Sequence, residues 1–189
     1  WMAPGRHMVT YPLPDNRLNI VAVQERDSWA AEGWHHDDDP TNLRAAFADC
    51  AAPLQDLLAQ VDTCHLWGLF RHKVADHWHN DRIALLGDAA HPTLPFLAQG
   101  ANLAIEDAFA LAQITDAQHN LAQALHAYQS ARRPRVSRAI AAANANARNY
   151  HLSGMPRRVA HLGLKTFGKI APDAFINRLG WLYDHDVTT

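Results

Sequence analysis

The chain has 189 residues, with 17 basic and 19 acidic side chains and a formal net charge of −2. This length allows one domain or parts of two, and the balanced charge gives no sign of the basic surface that nucleic-acid binding requires. Two cysteines form no disulfide framework, and no apolar run reaches the roughly 20 residues of a membrane span. We therefore expect a cytoplasmic protein without a signal peptide, with no nucleic-acid or membrane partner.

Two strand-like segments, residues 7–13 and 17–24, begin the chain. The Pro, Asp and Asn between them have turn chemistry, so the pair predicts a β-hairpin. The period of two along a strand puts His7, Val9 and Tyr11 on one face. A His and a Tyr on one strand face are the kind of side chains that form the wall of a pocket.

The next segment, residues 25–40, is polar and predicts a loop, and Thr41 or Asp39 is expected to cap the helix that follows. Residues 53–60 predict a second short helix, and the apolar, aromatic residues 64–73 predict another strand.

Histidines and aspartates at positions 35–39 raise the possibility of a metal site. Adjacent residues on a loop rarely converge on one ion, however, and His77 and His79 are no stronger candidates. No metal site is predicted.

Residues 82–87 form a short, continuous apolar run, which is typical of a strand buried on both faces of a parallel sheet. Asp88 follows this predicted strand directly. Residues 89–99 contain two prolines and predict a loop, after which residues 101–114 predict a helix.

A long helix is predicted from about 120 to 150, and Pro134 inside it is expected to kink or divide it. The tail, residues 151–189, is predicted to be helical in pieces. A local basic cluster on the long helix is interpreted as a solvated face. It consists of Arg132, Arg133, Arg135 and Arg138.

The predicted strand, loop and helix at 82–114 have the features of a ligand site. Ligands of open α/β sheets lie outside the carboxyl ends of the strands, so Asp88 is placed to accept hydrogen bonds from a ligand hydroxyl. Gly100 would let a flat ligand approach the backbone, and the N–H groups of Ala101 and Asn102 would favour negative charge at the helix N-terminus. Because reduction puts negative charge on the N1–C2=O edge of a flavin, this arrangement suits a reduced flavin.

This segment resembles the second flavin-binding motif of the class A flavoprotein monooxygenases, which include salicylate, 3-hydroxybenzoate and 6-hydroxynicotinate hydroxylases. The matching residues are 87–92, Pro95, 99–102 and 106–108. The resemblance implies that Asp88 binds the ribityl or pyrophosphate region of FAD. It also implies that Pro95 lies beside the reactive edge of the isoalloxazine and that backbone N–H groups contact the flavin C2 carbonyl. The FAD-binding residues are thus predicted to be Gly87, Asp88, Pro95, Gln99, Gly100, Ala101 and Asn102.

The resemblance extends to the N-terminal strand, where His7 and Tyr11 match a His and a Tyr that line the substrate pocket. It implies that His7 removes a phenolic proton, a task that suits a histidine with a pKa near neutrality, and that Tyr11 orients the substrate. Together with Pro95, these are the predicted catalytic residues. His91, Glu106 and Asp107 are interpreted as structural residues. Further matches lie on the long helix and in the tail, at Tyr128, Arg132, Arg135 and 181–183.

The resemblance implies a two-domain α/β enzyme, of which this chain would be an α+β fragment. Residues 1–79 would belong to a mixed-sheet substrate domain, residues 80–150 to the C-terminal strand and helices of a Rossmann-like FAD domain, and residues 151–189 to a helical tail. FAD would be reduced by NADH or NADPH, and O2 would supply the oxygen that hydroxylates a small aromatic acid.

The sequence departs from this family in three respects. The family's middle motif, which serves both FAD and the nicotinamide cofactor, is not apparent. The sequence also contains no G-x-G-x-x-G motif, which holds the ADP part of FAD, and Phe96 stands where one related subfamily has a His. We therefore expect that an upstream part is missing and that the chain alone binds FAD weakly or not at all. Unpaired strand edges are expected to favour self-association. Two alternatives stay open, a non-catalytic fragment and an epoxidase or tailoring oxygenase with a non-aromatic substrate.

Overall fold

The computed structural model describes residues 1–28, 33 and 36–188. It combines helices with small antiparallel sheets, which confirms the α+β class predicted for the chain. The chain divides into two compact units. The first consists of Trp1–Leu69 with Arg148–Val159, and the second of Phe70–Ala147 with Ala160–Thr189.

The first unit is built on a three-stranded antiparallel sheet in the order β1-β2-β3, with β1 at Met2–Ala3, β2 at Arg6–Leu13 and β3 at Arg17–Gln24. The predicted hairpin is confirmed. Its turn places Asp15 and Asn16 at φ angles of 61° and 54°, a left-handed conformation that these two residue types tolerate better than most.

Met8 anchors this sheet to the helices of the first unit. The helices are α1, Pro40–Ala46, and α2, Ala52–Leu58. Asp39 caps α1, because its carboxylate accepts a 2.8 Å hydrogen bond from the backbone N–H of Thr41. The core cluster of the unit contains Met8, Phe47, Leu54 and Leu58.

Two sequence predictions for the first unit were wrong in part. The segment predicted to be a loop contains β4, His36–Asp38, which pairs antiparallel with β5, Cys64–Leu66. The strand predicted at 64–73 therefore ends at Leu66, because β4 offers only three residues as hydrogen-bonding partners.

Two aspartates of the histidine and aspartate cluster at 35–39 make contacts with nearby side chains. Asp37 contacts the His65 ring at 2.9 Å, and Asp38 accepts a hydrogen bond from Asn42. In the described part of the chain, no three His, Cys, Asp or Glu side chains converge as metal ligands. His35 lies outside the described residues.

In the second unit, the strand predicted at 82–87 is not formed. Among the described residues, the only β-type pairing of this segment is an isolated antiparallel bridge between His79 and Ala84. Ile83 is 61% exposed, which is incompatible with a strand buried on both faces. A strand is defined by its hydrogen-bonded partner, so apolar composition alone did not produce one.

The helices of the second unit follow the sequence more closely. Helix α3 spans Gly100–Ala117, and α4 spans Leu121–Tyr150 without division at Pro134. Of the two predicted effects of Pro134, the division does not occur, because buried side chains on both sides of the proline, including Tyr128 and Val136, hold one continuous helix, and the kink stays a prediction. The tail forms the predicted pieces. These are α5, Gly154–Ile170, α6, Pro172–Asn177, and α7, Gly180–Tyr183. Over the described residues, every helix is too short or too polar to cross a bilayer.

Candidate functional site

The loop before α3 approaches that helix closely at Gly87. This residue has a φ angle of 57°, and a Cβ atom placed on it would lie 2.9 Å from the Cβ of Ala104. Both the left-handed backbone and the tight contact therefore require glycine. The next residue, Asp88, is exposed, and its Oδ1 lies 4.0 Å from the position that a Cβ of Gly100 would take. The Asp88 carboxylate is thus placed beside the N-terminus of α3.

The N-terminus of α3 presents unused hydrogen-bond donors. The first bond within the helix runs from the Leu103 N–H to the Gln99 carbonyl, at 2.9 Å, and the Gln99 side chain is buried and does not cap the helix. Among the described residues, the N–H groups of Gly100, Ala101 and Asn102 have no acceptor. Since Ala101 and Asn102 are exposed, this helix end can bind an anionic or carbonyl group.

The 3₁₀ turn that begins at Pro95 is fixed by two distant side chains. Asn146 donates a 3.1 Å hydrogen bond to the carbonyl of Phe96, and the Tyr183 hydroxyl donates a 3.1 Å bond to the carbonyl of Leu97. Pro95 itself is exposed. The proline ring is therefore exposed, while hydrogen bonds from Asn146 and Tyr183 hold the backbone of the turn on its buried side.

Asp107 is fully buried beneath this loop and joins it to α3 and α4. It accepts a 3.0 Å bond from the Gly87 N–H, a 2.5 Å bond from His91 Nε2 and a 2.8 Å bond from Arg132 Nε. Burial alone would raise the pKa of Asp107, but the hydrogen bonds from His91, Arg132 and Gly87 outweigh it and hold the pKa below its ordinary value. These contacts support the interpretation of His91 and Asp107 as structural residues.

Glu106 extends the network to the tail. It receives a 2.7 Å bond from Arg132 and two bonds of 2.7 Å from Arg135. Arg135 also donates to the carbonyls of Trp181 and Leu182, at 3.0 and 3.1 Å. Although burial tends to raise the pKa of Glu106, the bonds from Arg135 and Arg132 hold it below the ordinary value.

The interpretation of the basic cluster on α4 as a solvated face was wrong for Arg132 and Arg135, whereas Arg138 is exposed. Arg132 is 3% exposed and is used in the network, and the Arg138 guanidinium stacks 3.8 Å from the centre of the Trp181 ring. The sequence did contain a signal for these ion pairs. Glu106 and Asp107 are adjacent acids on α3, and Arg132 and Arg135, three residues apart, share one face of α4 and can pair with them.

We expect this network to make stability depend on acid pH. Because the pKa values of Glu106 and Asp107 are depressed in the folded chain, their contribution is present above the unfolded-state values and is lost as pH falls through the folded ones. The free energy of unfolding, measured by urea denaturation, should fall between about pH 5 and pH 2. The E106Q/D107N double variant should show a shallower fall. An identical slope in the two proteins would contradict this assignment.

His7 and Tyr11 lie on the same strand but in different surroundings. His7 is 6% exposed, its Nδ1 lies 2.7 Å from His151 Nε2, and its ring centre lies 5.2 Å from that of Tyr150. Tyr11 is 47% exposed. Burial and the neighbouring His151 lower the pKa of His7 to about 4, so the expectation of a value near neutrality was wrong. Nothing in the sequence around His7 indicated His151 as its partner.

The predicted catalytic residues are distributed over both units. His7 and Tyr11 belong to the first unit, whereas Pro95 and the predicted flavin-binding residues belong to the second. Their catalytic and binding roles stay predictions.

Comparison with known proteins gives consistent matches. The family model described as "FAD binding domain" matches residues 5–143. The 3-amino-4-hydroxybenzoate 2-monooxygenase PtmB3 of Streptomyces platensis is 34% identical over 160 residues, covering 84% of this chain and 40% of that protein. The 3-hydroxybenzoate 6-hydroxylase of Klebsiella oxytoca is 30% identical over 188 residues, covering 97% of this chain and 46% of that protein.

A solved structure described as a salicylate hydroxylase substrate complex has the same fold. It superimposes with a TM-score of 0.80 at 24% identity and covers 100% of this chain and 47% of its own. The chain thus spans less than half the length of these two relatives and of this structure.

Proposed function

We propose that this chain, which belongs to the FAD-binding domain family and is similar to the class A aromatic hydroxylases, holds the reactive edge of FAD in a monooxygenase. The observation that carries the proposal is the position of the exposed Asp88 carboxylate beside three N–H groups of α3 that have no acceptor among the described residues. A hydroxyl-bearing ligand with an electron-rich carbonyl edge would satisfy both kinds of group.

The residues of this junction fit FAD. Asp88 would accept hydrogen bonds from ribityl hydroxyls, and the N–H groups of Ala101 and Asn102 would donate to the C2 carbonyl edge. Gly87 and Gln99 would shape the loop, Gly100 would allow close approach of the ring, and Pro95 would lie at the ring edge. FAD, when bound, supplies the oxygen-transfer chemistry, while the protein positions it and excludes water.

The proposed substrate is a small aromatic acid bearing a ring hydroxyl. Two relatives are named for acting on substituted hydroxybenzoates, which supports this class. His7 would accept the phenolic proton and Tyr11 would orient the acid, because removal of that proton makes the ring electron-rich. NADH or NADPH and O2 would be the co-substrates. In this proposal, residues 1–79 serve the substrate and residues 80–150 serve FAD.

We expect hydroxybenzoates to stimulate NAD(P)H oxidation by the full-length protein that contains this chain. The experiment compares salicylate, 3-hydroxybenzoate and 3-amino-4-hydroxybenzoate with a cyclic alkene carboxylate, and quantifies products by mass spectrometry. The expected result is a product heavier by one oxygen, formed in proportion to the NAD(P)H consumed. Stimulation by the alkene alone, with an epoxide as product, would overturn the aromatic assignment.

We also propose that the isolated 189-residue chain binds FAD weakly or not at all. It contains no G-x-G-x-x-G motif for the ADP part of the cofactor, and large apolar side chains on α5 are exposed in the chain. These exposed side chains, which would favour self-association, include Met155, Val159, Leu162 and Ile170. Submicromolar binding in a fluorescence titration with FAD would contradict this expectation.

A further inference from the structure

The peptide group between Leu97 and Ala98 is held at both of its ends. Its carbonyl accepts a 3.1 Å hydrogen bond from the Tyr183 hydroxyl, and its N–H donates a 3.3 Å bond to the carbonyl of Pro95. Because a peptide group is planar, two hydrogen bonds at opposite ends fix the orientation of the whole plane. The orientation of this plane sets the direction in which the chain leaves the turn at Pro95.

This orientation requires a backbone conformation that Ala98 does not adopt readily. Ala98 has a φ angle of 52° and a ψ angle of 37°, in the left-handed region, where the Cβ of an L residue lies too close to a carbonyl oxygen. Such a conformation persists where the surrounding contacts enforce it. One such contact is the Tyr183 bond, and another is the 3.1 Å bond from Asn146 to the carbonyl of Phe96. Without the Tyr183 hydroxyl, we therefore expect the peptide group to populate other orientations.

The tail segment that carries Tyr183 is itself fixed to α4. Arg135 donates hydrogen bonds to the carbonyls of Trp181 and Leu182, at 3.0 and 3.1 Å. The Arg138 guanidinium lies 3.8 Å from the centre of the Trp181 ring, and Leu182 is buried. Helix α7 is therefore firmly held, and the Tyr183 hydroxyl connects it to the turn.

We propose that Tyr183 is a positioning residue, whose hydroxyl holds the turn of Pro95 in place at the reactive edge of the flavin. This inference rests on the proposed function, in which Pro95 lies at the ring edge. A turn that is held in place excludes water from this edge and so favours hydroxylation over side reactions. When the turn is loosened, part of the NAD(P)H is consumed without hydroxylation, because NAD(P)H, a proton and O2 then give NAD(P)⁺ and hydrogen peroxide.

The decisive variant is Tyr183→Phe in the full-length protein, because it removes the hydroxyl and keeps the ring. We expect the ratio of hydrogen peroxide to hydroxylated product to rise about two- to tenfold, the factor that corresponds to the net contribution of one hydrogen bond. KM for the hydroxybenzoate and the thermal midpoint should stay near those of the wild type, since Tyr183 is 53% exposed. A tyrosine that only anchored the tail would instead lower the thermal midpoint and leave the ratio unchanged.

The matched control is Thr188→Val, which removes a hydroxyl from the same tail and keeps the shape of the side chain. Thr188 is exposed, and its hydroxyl donates a 2.6 Å bond to Asp186 within the tail. Its ratio of hydrogen peroxide to product should equal that of the wild type.

A second readout requires neither FAD nor activity. The N–H of Ala98 belongs to the peptide group that Tyr183 holds, so its exchange with solvent reports on the turn. We expect this exchange, measured by NMR in the 189-residue chain, to be about two- to tenfold faster in Tyr183→Phe and unchanged in Thr188→Val.

The two readouts separate the possible failures. Wild-type exchange at Ala98 in Tyr183→Phe would overturn the inference, because the hydroxyl would then not hold the turn. Faster exchange together with a wild-type ratio of hydrogen peroxide to product would overturn the positioning role. A wild-type enzyme that hydroxylates no hydroxybenzoate would overturn the proposed function instead, and the exchange at Ala98 would still decide whether Tyr183 holds the turn.

Discussion

Replacing Asp107 by Ala is expected to lower the free energy of unfolding by about 3–5 kcal/mol, because it removes one partner from a buried ion pair. The carboxylate is fully buried and is the acceptor for Arg132, for His91 and for the Gly87 N–H. Without it, a buried guanidinium loses a partner and the other two donors are left without their acceptor. Urea denaturation at neutral pH, followed by circular dichroism, measures the change.

The control for this prediction lies on the same helix. Asp116 on α3 is exposed and forms no ion pair among the described residues, so Asp116→Ala should change stability by no more than about 0.5 kcal/mol. If Asp107→Ala does not fold, Asp107→Asn keeps the shape of the side chain and tests the loss of charge. A cost below about 1 kcal/mol for both Asp107 variants would show that the network does not hold the loop.

Gly87→Ala is expected to destabilise the chain considerably more than Gly154→Ala. The two glycines have nearly the same backbone conformation, with φ angles of 57° and 58°. An added Cβ would lie 2.9 Å from the Cβ of Ala104 at Gly87, whereas no atom of the described residues that could clash lies within 4 Å of one at Gly154. Gly154→Ala should therefore cost only the backbone strain, about 1 kcal/mol, and Gly87→Ala should cost about 1–3 kcal/mol more from overpacking.

This pair also connects stability to the proposed site. A displaced loop at Gly87 would move Asp88 away from the N-terminus of α3. We therefore expect the full-length protein with Gly87→Ala to lose FAD on purification, while the one with Gly154→Ala keeps it. Equal unfolding free energies for the two variants, measured by urea denaturation of the 189-residue chain, would contradict the close packing of the loop on α3.

Local signals in the sequence predicted the hairpin, the helices and the loop-to-helix junction that carries Asp88 and Gly100. Each of these elements is predicted by features that lie within the element itself. These features are turn residues, helical periodicity and the residues of the motif. The strand predicted at 82–87 failed because a strand depends on a partner elsewhere. Pro134 did not divide α4 because tertiary packing outweighed a local preference.

The contacts that organise the candidate site were beyond local reasoning. Arg132 and Asp107 are 25 residues apart, and His7 and His151 are 144 residues apart. Composition made Arg132 and Arg135 look like part of a solvated face, because the acids that pair with them lie on another helix. Spacing shows that Arg132 and Arg135 share one face of α4, but only the fold brings Glu106 and Asp107 opposite that face.

The proposed function requires that the junction of Asp88 with the N-terminus of α3 holds the flavin. The most direct test is the FAD content and FAD affinity of the full-length protein, as wild type, Asp88→Ala and Asp81→Ala, the last changing an exposed aspartate before the motif. We expect the wild type and Asp81→Ala to purify yellow, and Asp88→Ala to bind FAD about 10- to 100-fold more weakly with an unchanged circular dichroism spectrum. Wild-type FAD affinity in Asp88→Ala would contradict the proposed role of this junction in binding FAD.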